Sequence, residues 1–306
     1  MPAETILVIG SANVDMIVKS ESLPRPGETV IGGTFATVPG GKGANQAVAV
    51  ARLGKRATLL ACVGDDEFGN SLRATYEREG IDTRLVQTIA QTHTGVAFIL
   101  VDACGENMIS VALGANAKFT PDRLKALEDL AVSPRWALLQ LEIPRPTVEA
   151  AVQWAKERGA RVILDPAPAP AAGGLPDSLL RLVDIMTPNG VEAGALVGHE
   201  VTSADQAVAA GRTLVERGAG EVIVTLGERG GVGVSPSGDW RYAAPKVQAV
   251  DSTAAGDCFA GALAVALSEG ASTREAADFA ARAAAVSVTR IGAQSSLPRR
   301  DEIPRQ

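Results

Sequence analysis

Six short runs of aliphatic and β-branched residues punctuate the chain: ILVIG at 6–10, ATLLACVG at 57–64, WALLQLE at 136–142, RVILDP at 161–166, DIMTPN at 184–189 and EVIVTLG at 221–227. Their apolar stretches are continuous rather than alternating, as suits strands covered on both faces, the condition of a parallel sheet with crossover helices. The intervening segments supply those helices. ANQAVAVARLG, SLLRLV, AVAAGRTLVERG and CFAGALAVALSEG are rich in small or aliphatic residues, which let a helix lie close to a sheet. The pattern predicts an α/β fold with a central, mostly parallel sheet and helices on both faces.

Two regions break this rhythm. MIVKSESLPRPGETVIGGTFATV (16–38) and TGVAFILVDACGENMISVAL (94–113) read as strand-turn-strand pieces without helices, with Pro and Gly at the turns. Together they predict a small protruding sheet that acts as a lid; the alternative is extra edge strands of the main sheet. No repeat or long linker divides the chain, and PAPAPAAGG (166–174) reads as a surface turn after a strand. The expected organisation is a single domain over 1–306 with lid strands inserted at about 16–38 and 94–113.

Composition removes several classes of function. The net charge of −6, with no run of like charges, offers nucleic acid no footprint. MPAETILVIG lacks a basic region followed by a long apolar one, and no segment reaches the roughly 18 apolar residues of a membrane helix. A cytoplasmic protein with no membrane partner is expected. Cys62, Cys104 and Cys258 are too few and too scattered for a disulfide framework or a Cys-rich metal site. With only His93 and His199, zinc chemistry or a His-dependent triad has little to work with.

Four stretches carry polar groups where such a sheet binds ligands. PGGKGANQAVAVARLG (39–54) is not a nucleotide P-loop, because Lys42 is followed by Gly43 and position 36 is Ala. It reads as a Gly-Gly turn offering Lys42, Asn45 and helix amides to a polyhydroxylated ligand, or as a plain helix start. In GSANVDMIV, Asn13 and Asp15 fall on one face of an extended chain, suited to adjacent sugar hydroxyls, with an Asx turn as the alternative; Glu142 is another acid at a strand exit. In TPNGVEAGAL, Asn189 and Glu192 form either a capping box or a pair organising Mg²⁺ and phosphate through waters. VTLGERGG suits nucleotide phosphates or a β-hairpin.

DSTAAGDCFAGAL (251–263) is the most specific. If a helix begins near Ala254, the amides of Ala254, Ala255 and Gly256 leave room for a phosphate at its positive end. Asp257 then sits in the first turn, placed to take a proton from a hydroxyl attacking a phosphoryl group. The alternative is a helix capped by Ser252 or Thr253, with Asp257 merely suiting the dipole.

In order along the chain, GSANVDMIV, PRPGETV, GGKGANQAVAVARLG, GDDEFG, the GAN at 114–116, LLQLE, DPAPA, TPN..E, VTLG..G, VDSTAAGD and VTRIGAQSS resemble the ribokinase-like (PfkB) family of carbohydrate kinases. The resemblance implies the predicted fold, with the β lid also serving as a homodimer clasp, and ATP-dependent phosphorylation of D-ribose at its 5-hydroxyl. It implies Asp257 as catalytic base and the amides of Ala254, Ala255 and Gly256 as the anion hole. Asn13, Val14, Asp15, Gly41, Lys42, Gly43, Ala44, Asn45, Glu142 and Asp251 match sugar-binding positions. Asn189, Thr225, Leu226, Gly227, Glu228, Arg229, Gly230, Gly256 and Asp257 match the nucleotide site, and Glu192 the Mg²⁺ position, reached through water. A monovalent-cation site, normally K⁺, would take Asp251, Thr253, Ser287, Arg290, Gly292 and Ser296, several through backbone carbonyls.

The chain departs from the family pattern at Gly190 and Val191, inside NxxE, and at Ser252 and Cys258 beside the catalytic loop. Cys258 at a helix N-terminus suggests either a lowered pKa or a buried inert thiol. Other readings are a related kinase for 2-deoxyribose, another sugar or a nucleoside, and a sugar- or nucleotide-sensing protein without turnover. The polar set Asn13, Asp15, Lys42 and Asn45 favours a pentose, and the intact Ala-Ala-Gly-Asp stretch argues for turnover.

Overall fold

The computed structural model describes residues 5–130, 133–169 and 174–304; residues 170–173 of the expected surface turn lie outside them. Its first half comprises β1 (Thr5–Ile9), β2 (Asn13–Lys19), β3 (Thr34–Gly40), α1 (Lys42–Arg52), β4 (Arg56–Gly64), α2 (Glu67–Arg78), β5 (Val86–Ile89), β6 (Gly95–Val101), β7 (Asn107–Ala112) and β8 (Trp136–Leu139). Its second half comprises α3 (Arg145–Glu157), β9 (Arg161–Leu164), α4 (Asp177–Leu180), β10 (Ile185–Met186), α5 (Gly190–Val197), α6 (Ala204–Glu216), β11 (Glu221–Thr225), β12 (Gly231–Ser235), β13 (Gly238–Tyr242), α7 (Ala255–Ser268) and α8 (Thr273–Ser287).

The main sheet has nine strands in the order β13-β12-β11-β10-β9-β8-β1-β4-β5. The pairings from β11 through β5 are parallel, and β12 and β13 add an antiparallel edge. Burial explains the unbroken apolar runs. Along β1, Ile6 and Val8 enter a core with residues of α1, α7 and α8, whereas Leu7 and Ile9 enter a second core with residues of α3 and α6. Period-two side chains thus meet helices on both faces.

The two helix-free regions form a separate four-stranded sheet, order β3-β2-β6-β7. This excludes the alternative of extra edge strands on the main sheet. Asn13 and Asp15 therefore do not end the first strand: β1 stops at Ile9, and these residues open β2 in the small sheet. SLLRLV yields only the single turn of α4, because the chain must enter β10 at Ile185.

Several predicted strands also end early, at Leu139, Leu164 and Met186. The polar tails of those runs, Gln140, Glu142, Asp165, Thr187 and Asn189, are thereby released at the carboxyl rim of the sheet, where open α/β folds bind ligands.

Candidate active site

Helices α1 and α7 bring the site together. A Cβ at Gly261 of α7 would meet Ala49 Cβ at 2.7 Å and the Gln46 carbonyl at 3.0 Å, so only glycine lets the helices approach this closely. Their first turns consequently face each other. Asn45 Nδ2 donates to Asp257 Oδ2 at 2.8 Å, and Gln46 Nε2 to Asp257 Oδ1 at 3.2 Å and to Asp165 Oδ2 at 2.9 Å.

The two helix N-termini are not equivalent. At α1, the Lys42 amide donates to Glu142 Oε2 at 3.0 Å, that of Gly43 to Ser11 Oγ at 3.4 Å and that of Ala44 to the Ser11 carbonyl at 2.9 Å. The expectation that α1 offers amides to a ligand is corrected here: Ser11 and Glu142 already use them. At α7 no side chain caps the helix, which excludes the Ser252 and Thr253 cap, and Ala254 takes a left-handed φ of 59° at the N-cap. The Ala255 amide donates to the Ser252 carbonyl at 3.2 Å, so it is shared with a turn. Ala254, Gly256 and Asp257 supply the remaining amides beside a cavity of about 170 Å³.

Lys42, Asp165, Thr187, Asn189, Glu192 and Asp257 line that cavity. Burial works against the Lys42 charge, but Asp257, Asp165, Glu142 and Glu192 outweigh it and hold the ammonium above its ordinary range. Burial raises the Asp257 carboxyl, against Lys42, Asn45 and Gln46, which favour its ionised form. Asp165 is likewise raised, by burial and then by Asp257 and Glu192, with Lys42 opposing. Burial, the Glu142 charge and the Asp257 charge push Asp15 up to about 7. Asn45 Oδ1 and Thr187 Oγ1 are buried without a partner, as expected of groups awaiting a ligand.

On the sugar side, Asn116 is fully buried and was not singled out in the sequence. Its Oδ1 accepts from the Ala12 amide at 3.0 Å, and its Nδ2 donates to the Ala12 carbonyl at 3.1 Å and to Asn13 Oδ1 at 2.7 Å. The Asn13 carbonyl oxygen is thus occupied and its NH₂ is left to donate, while Asp15 accepts. Gly41 holds φ at +88°, and a Cβ there would meet Asn13 N at 2.7 Å. Val14 and Ala44 point into the core, so only their backbones remain for a ligand.

Asn189 and Glu192 form the capping box: Asn189 Oδ1 accepts from the Glu192 amide at 2.9 Å and Glu192 Oε2 from the Asn189 amide at 2.8 Å. They also line the cavity. Thr225 reaches the cavity too, its amide held by the Pro188 carbonyl at 2.9 Å. Leu226 is buried, whereas Gly227, Glu228 and Arg229 are exposed on the turn between antiparallel β11 and β12, and Gly230 closes that turn with its carbonyl on the Leu226 amide. VTLGERGG is therefore a hairpin with one end at the site.

Asp251 is held by its own loop and by Gly292. Its Oδ1 accepts from the Thr253 amide at 2.9 Å and hydroxyl at 2.6 Å, and its Oδ2 from the Gly292 amide at 2.8 Å. Despite partial burial, those bonds hold its carboxyl below the usual range. Ser287 and Ser296 turn their hydroxyls back onto the Ala284 and Ala293 carbonyls, and the Arg290 guanidinium pairs with Glu302 at 2.6 Å. Among the described residues no cluster of three or more His, Cys, Asp or Glu could hold a metal by itself. Cys258 is fully buried, and burial pushes its thiol up to about 12, which excludes a lowered pKa.

The pattern for the pfkB family of carbohydrate kinases matches residues 3–300. A ribokinase of Haemophilus influenzae is 43% identical over 300 residues, covering 98% of this chain and 97% of the relative. A deoxyribokinase of Salmonella typhi is 38% identical over 294 residues, covering 96% and 95%. The solved structure of Arabidopsis thaliana ribokinase complexed with ribose and ATP superposes with a TM-score of 0.89 at 33% identity, covering 98% of this chain and 97% of that one.

Proposed function

The chain belongs to the pfkB family of carbohydrate kinases, and we propose that it transfers the γ-phosphoryl group of ATP to the 5-hydroxyl of D-ribose. The observation that carries this reading is the uncapped N-terminus of α7 beside Asp257, whose carboxylate touches Asn45 of α1. Asn13, Asp15 and Glu142 hold the sugar hydroxyls, the first donating and the acids accepting. Asp257 takes the 5-hydroxyl proton as that oxygen attacks phosphorus. The bond from phosphorus to the bridging oxygen of ADP breaks, and the freed α7 amides and Lys42 stabilise the charge on the transferring group.

Asn189 and Thr225 suit the nucleotide side, and Glu192, with one carboxylate oxygen used in the cap, suits a hydrated Mg²⁺. Such an ion would neutralise phosphate charge. The Asp251 carboxylate, the Thr253 hydroxyl and the carbonyls of Ser287, Arg290, Gly292 and Ser296 form an all-oxygen set that suits K⁺ beside the same loop. The Asp251 carboxylate accepts from Thr253 and Gly292, on the side of the cation set, and we assign it to the cation.

A second reading is 2-deoxyribose, which the likeness to the Salmonella deoxyribokinase favours. The test is ADP release over ribose, deoxyribose, fructose, other sugars and nucleosides, with K⁺ or Na⁺. A missing hydroxyl strands a buried polar partner at about 1–3 kcal/mol, so ribose is expected to exceed deoxyribose in kcat/KM by at least ~10-fold, with K⁺ activating. The reverse order establishes the second reading, and sugar binding without ADP release establishes a sensor.

The four-stranded sheet is read as lid and dimer clasp. Phe35, Val18, Leu100 and Met108 lie in register across one face, and Ala36, Ile17, Ile99 and Ile109 across the other. Phe35 is 65% exposed, Met108 53% and Ile109 58%, an amount of wet apolar surface that a second copy would cover. Ile109→Asp is expected to convert a dimer to a monomer in light scattering; a monomeric parent protein would refute the clasp. No helix among the described residues is long and apolar enough to cross a membrane, and the unpaired Cys62, Cys104 and Cys258 suit the reducing cytoplasm we assign.

A further inference from the structure

Gln46 lies one residue beyond the predicted sugar-binding stretch, is fully buried, and makes three side-chain hydrogen bonds at the centre of the site. Its Nε2 donates to Asp165 Oδ2 at 2.9 Å and to Asp257 Oδ1 at 3.2 Å, while its Oε1 accepts from Gln140 Nε2 at 2.5 Å. Gln140 in turn packs over Gly10, where a Cβ would collide with its Oε1. Both N–H groups of Gln46 thus face carboxyl oxygens, and its carbonyl faces the Gln140 amide.

We infer that Gln46 is a positioning residue that keeps Asp257 ionised and correctly turned, and that Gln140, seated on Gly10, fixes Gln46 in that task. The inference deepens the kinase reading above and rests on it for its kinetic part. Asp257 is buried among groups that mostly oppose its charge: Asp15 of β2, Glu142 after β8, Asp165 after β9 and Glu192 of α5, against Lys42 of α1. Burial and these charges favour its protonated form. Donors to the ionised form counter this, and there are two, Asn45 on one oxygen and Gln46 on the other. The same pair fixes the carboxylate plane, leaving a lone pair of Oδ2 for the attacking hydroxyl. Gln46 also divides its two protons between Asp257 and Asp165, so the two acids are spaced by a donor rather than sharing a proton between them.

The experiment uses Gln46→Glu, which keeps the shape and removes the donors, and Gln140→Leu, which leaves Gln46 in place without its anchor. For Gln46→Glu the acidic limb of the kcat/KM profile is expected to move up by about one pH unit or more, with kcat at pH 7 reduced about ten-fold and the KM values for ribose and ATP within about three-fold of the parent. Gln140→Leu is expected to move the limb in the same direction by less, and it carries the test if Gln46→Glu does not fold. Infrared titration of ¹³C-labelled aspartate carboxyls, comparing Asp257→Asn to assign the band, reads the protonation of Asp257 without turnover. A folded variant with unchanged limb and unchanged titration, or a fall in kcat with neither moved, overturns the inference. If the parent phosphorylates no sugar, the kinase reading falls while the infrared titration still decides this one.

Discussion

Asp257→Asn is expected to lose at least ~10²-fold in turnover while still binding ribose and ATP, the low end of what a general base contributes. Asn has the volume of Asp but cannot take the hydroxyl proton. Its amide can satisfy only part of the local demand, because Asn45 Nδ2 and Gln46 Nε2 both donate to the native carboxylate and one would face another N–H. That mismatch works against stability. Removing a buried negative charge from beside Glu142 works in its favour, so the variant should stay folded. Single-turnover measurement of ADP with calorimetric binding of each substrate separates the chemical step from affinity. Near-normal turnover would sink the role of Asp257, and with it the reading of the α7 terminus as the place where the phosphoryl group is transferred.

What could be read from the sequence divides by range. The strands were legible because two cores demand apolar residues on both faces, and the small sheet because its segments lack any helical period. Asp257 with its Ala-Ala-Gly neighbours was legible because it is one local element whose side chains had been pared away. Gln46, Asp165, Gln140 and Asn116 were missed, although each lies in or beside a quoted motif. A glutamine inside an Ala-rich helix or a polar residue ending a strand carries no local signal. Their roles come from partners 94 to 211 residues away, set by the close approach of α1 and α7 and by strand order in the sheet. The α1 terminus shows the converse: its glycines and lysine looked like a ligand cradle, but Ser11 and Glu142, 31 and 100 residues from Lys42, had already taken the amides. Local sequence identifies which groups are unusual, and only the fold says which of them are already satisfied.

Lys42→Met is expected to produce the other large effect, on catalysis and on stability together. Lys42 is the ammonium set against Asp15, Glu142, Asp165, Glu192 and Asp257, and no other cationic side chain lines the cavity among the described residues. As one of the groups facing the transferring charge, its loss is expected to lower kcat by roughly 10²–10³-fold, as removal of an oxyanion-hole donor does. Its loss also leaves several buried carboxylates without a counter-charge, at up to about 3 kcal/mol, the low end for breaking a buried pair because Lys42 keeps part of its surface in solvent. The sign with pH follows from the direction of the shifts. Asp15, Asp165, Glu192 and Asp257 all have folded pKa values above those of the unfolded chain, with Asp15 near 7. Between the unfolded and folded values the native state holds more protons than the unfolded one, so stability falls as pH rises through that window. Methionine raises the folded values further and widens the window. The deficit relative to the parent is therefore smallest below the unfolded carboxyl values of about 4, where the carboxyls are protonated in both states, and largest at about pH 8. Urea unfolding at pH 5 and pH 8 measures it: a deficit independent of pH would mean that Lys42 supports the fold through packing rather than by holding these acids ionised.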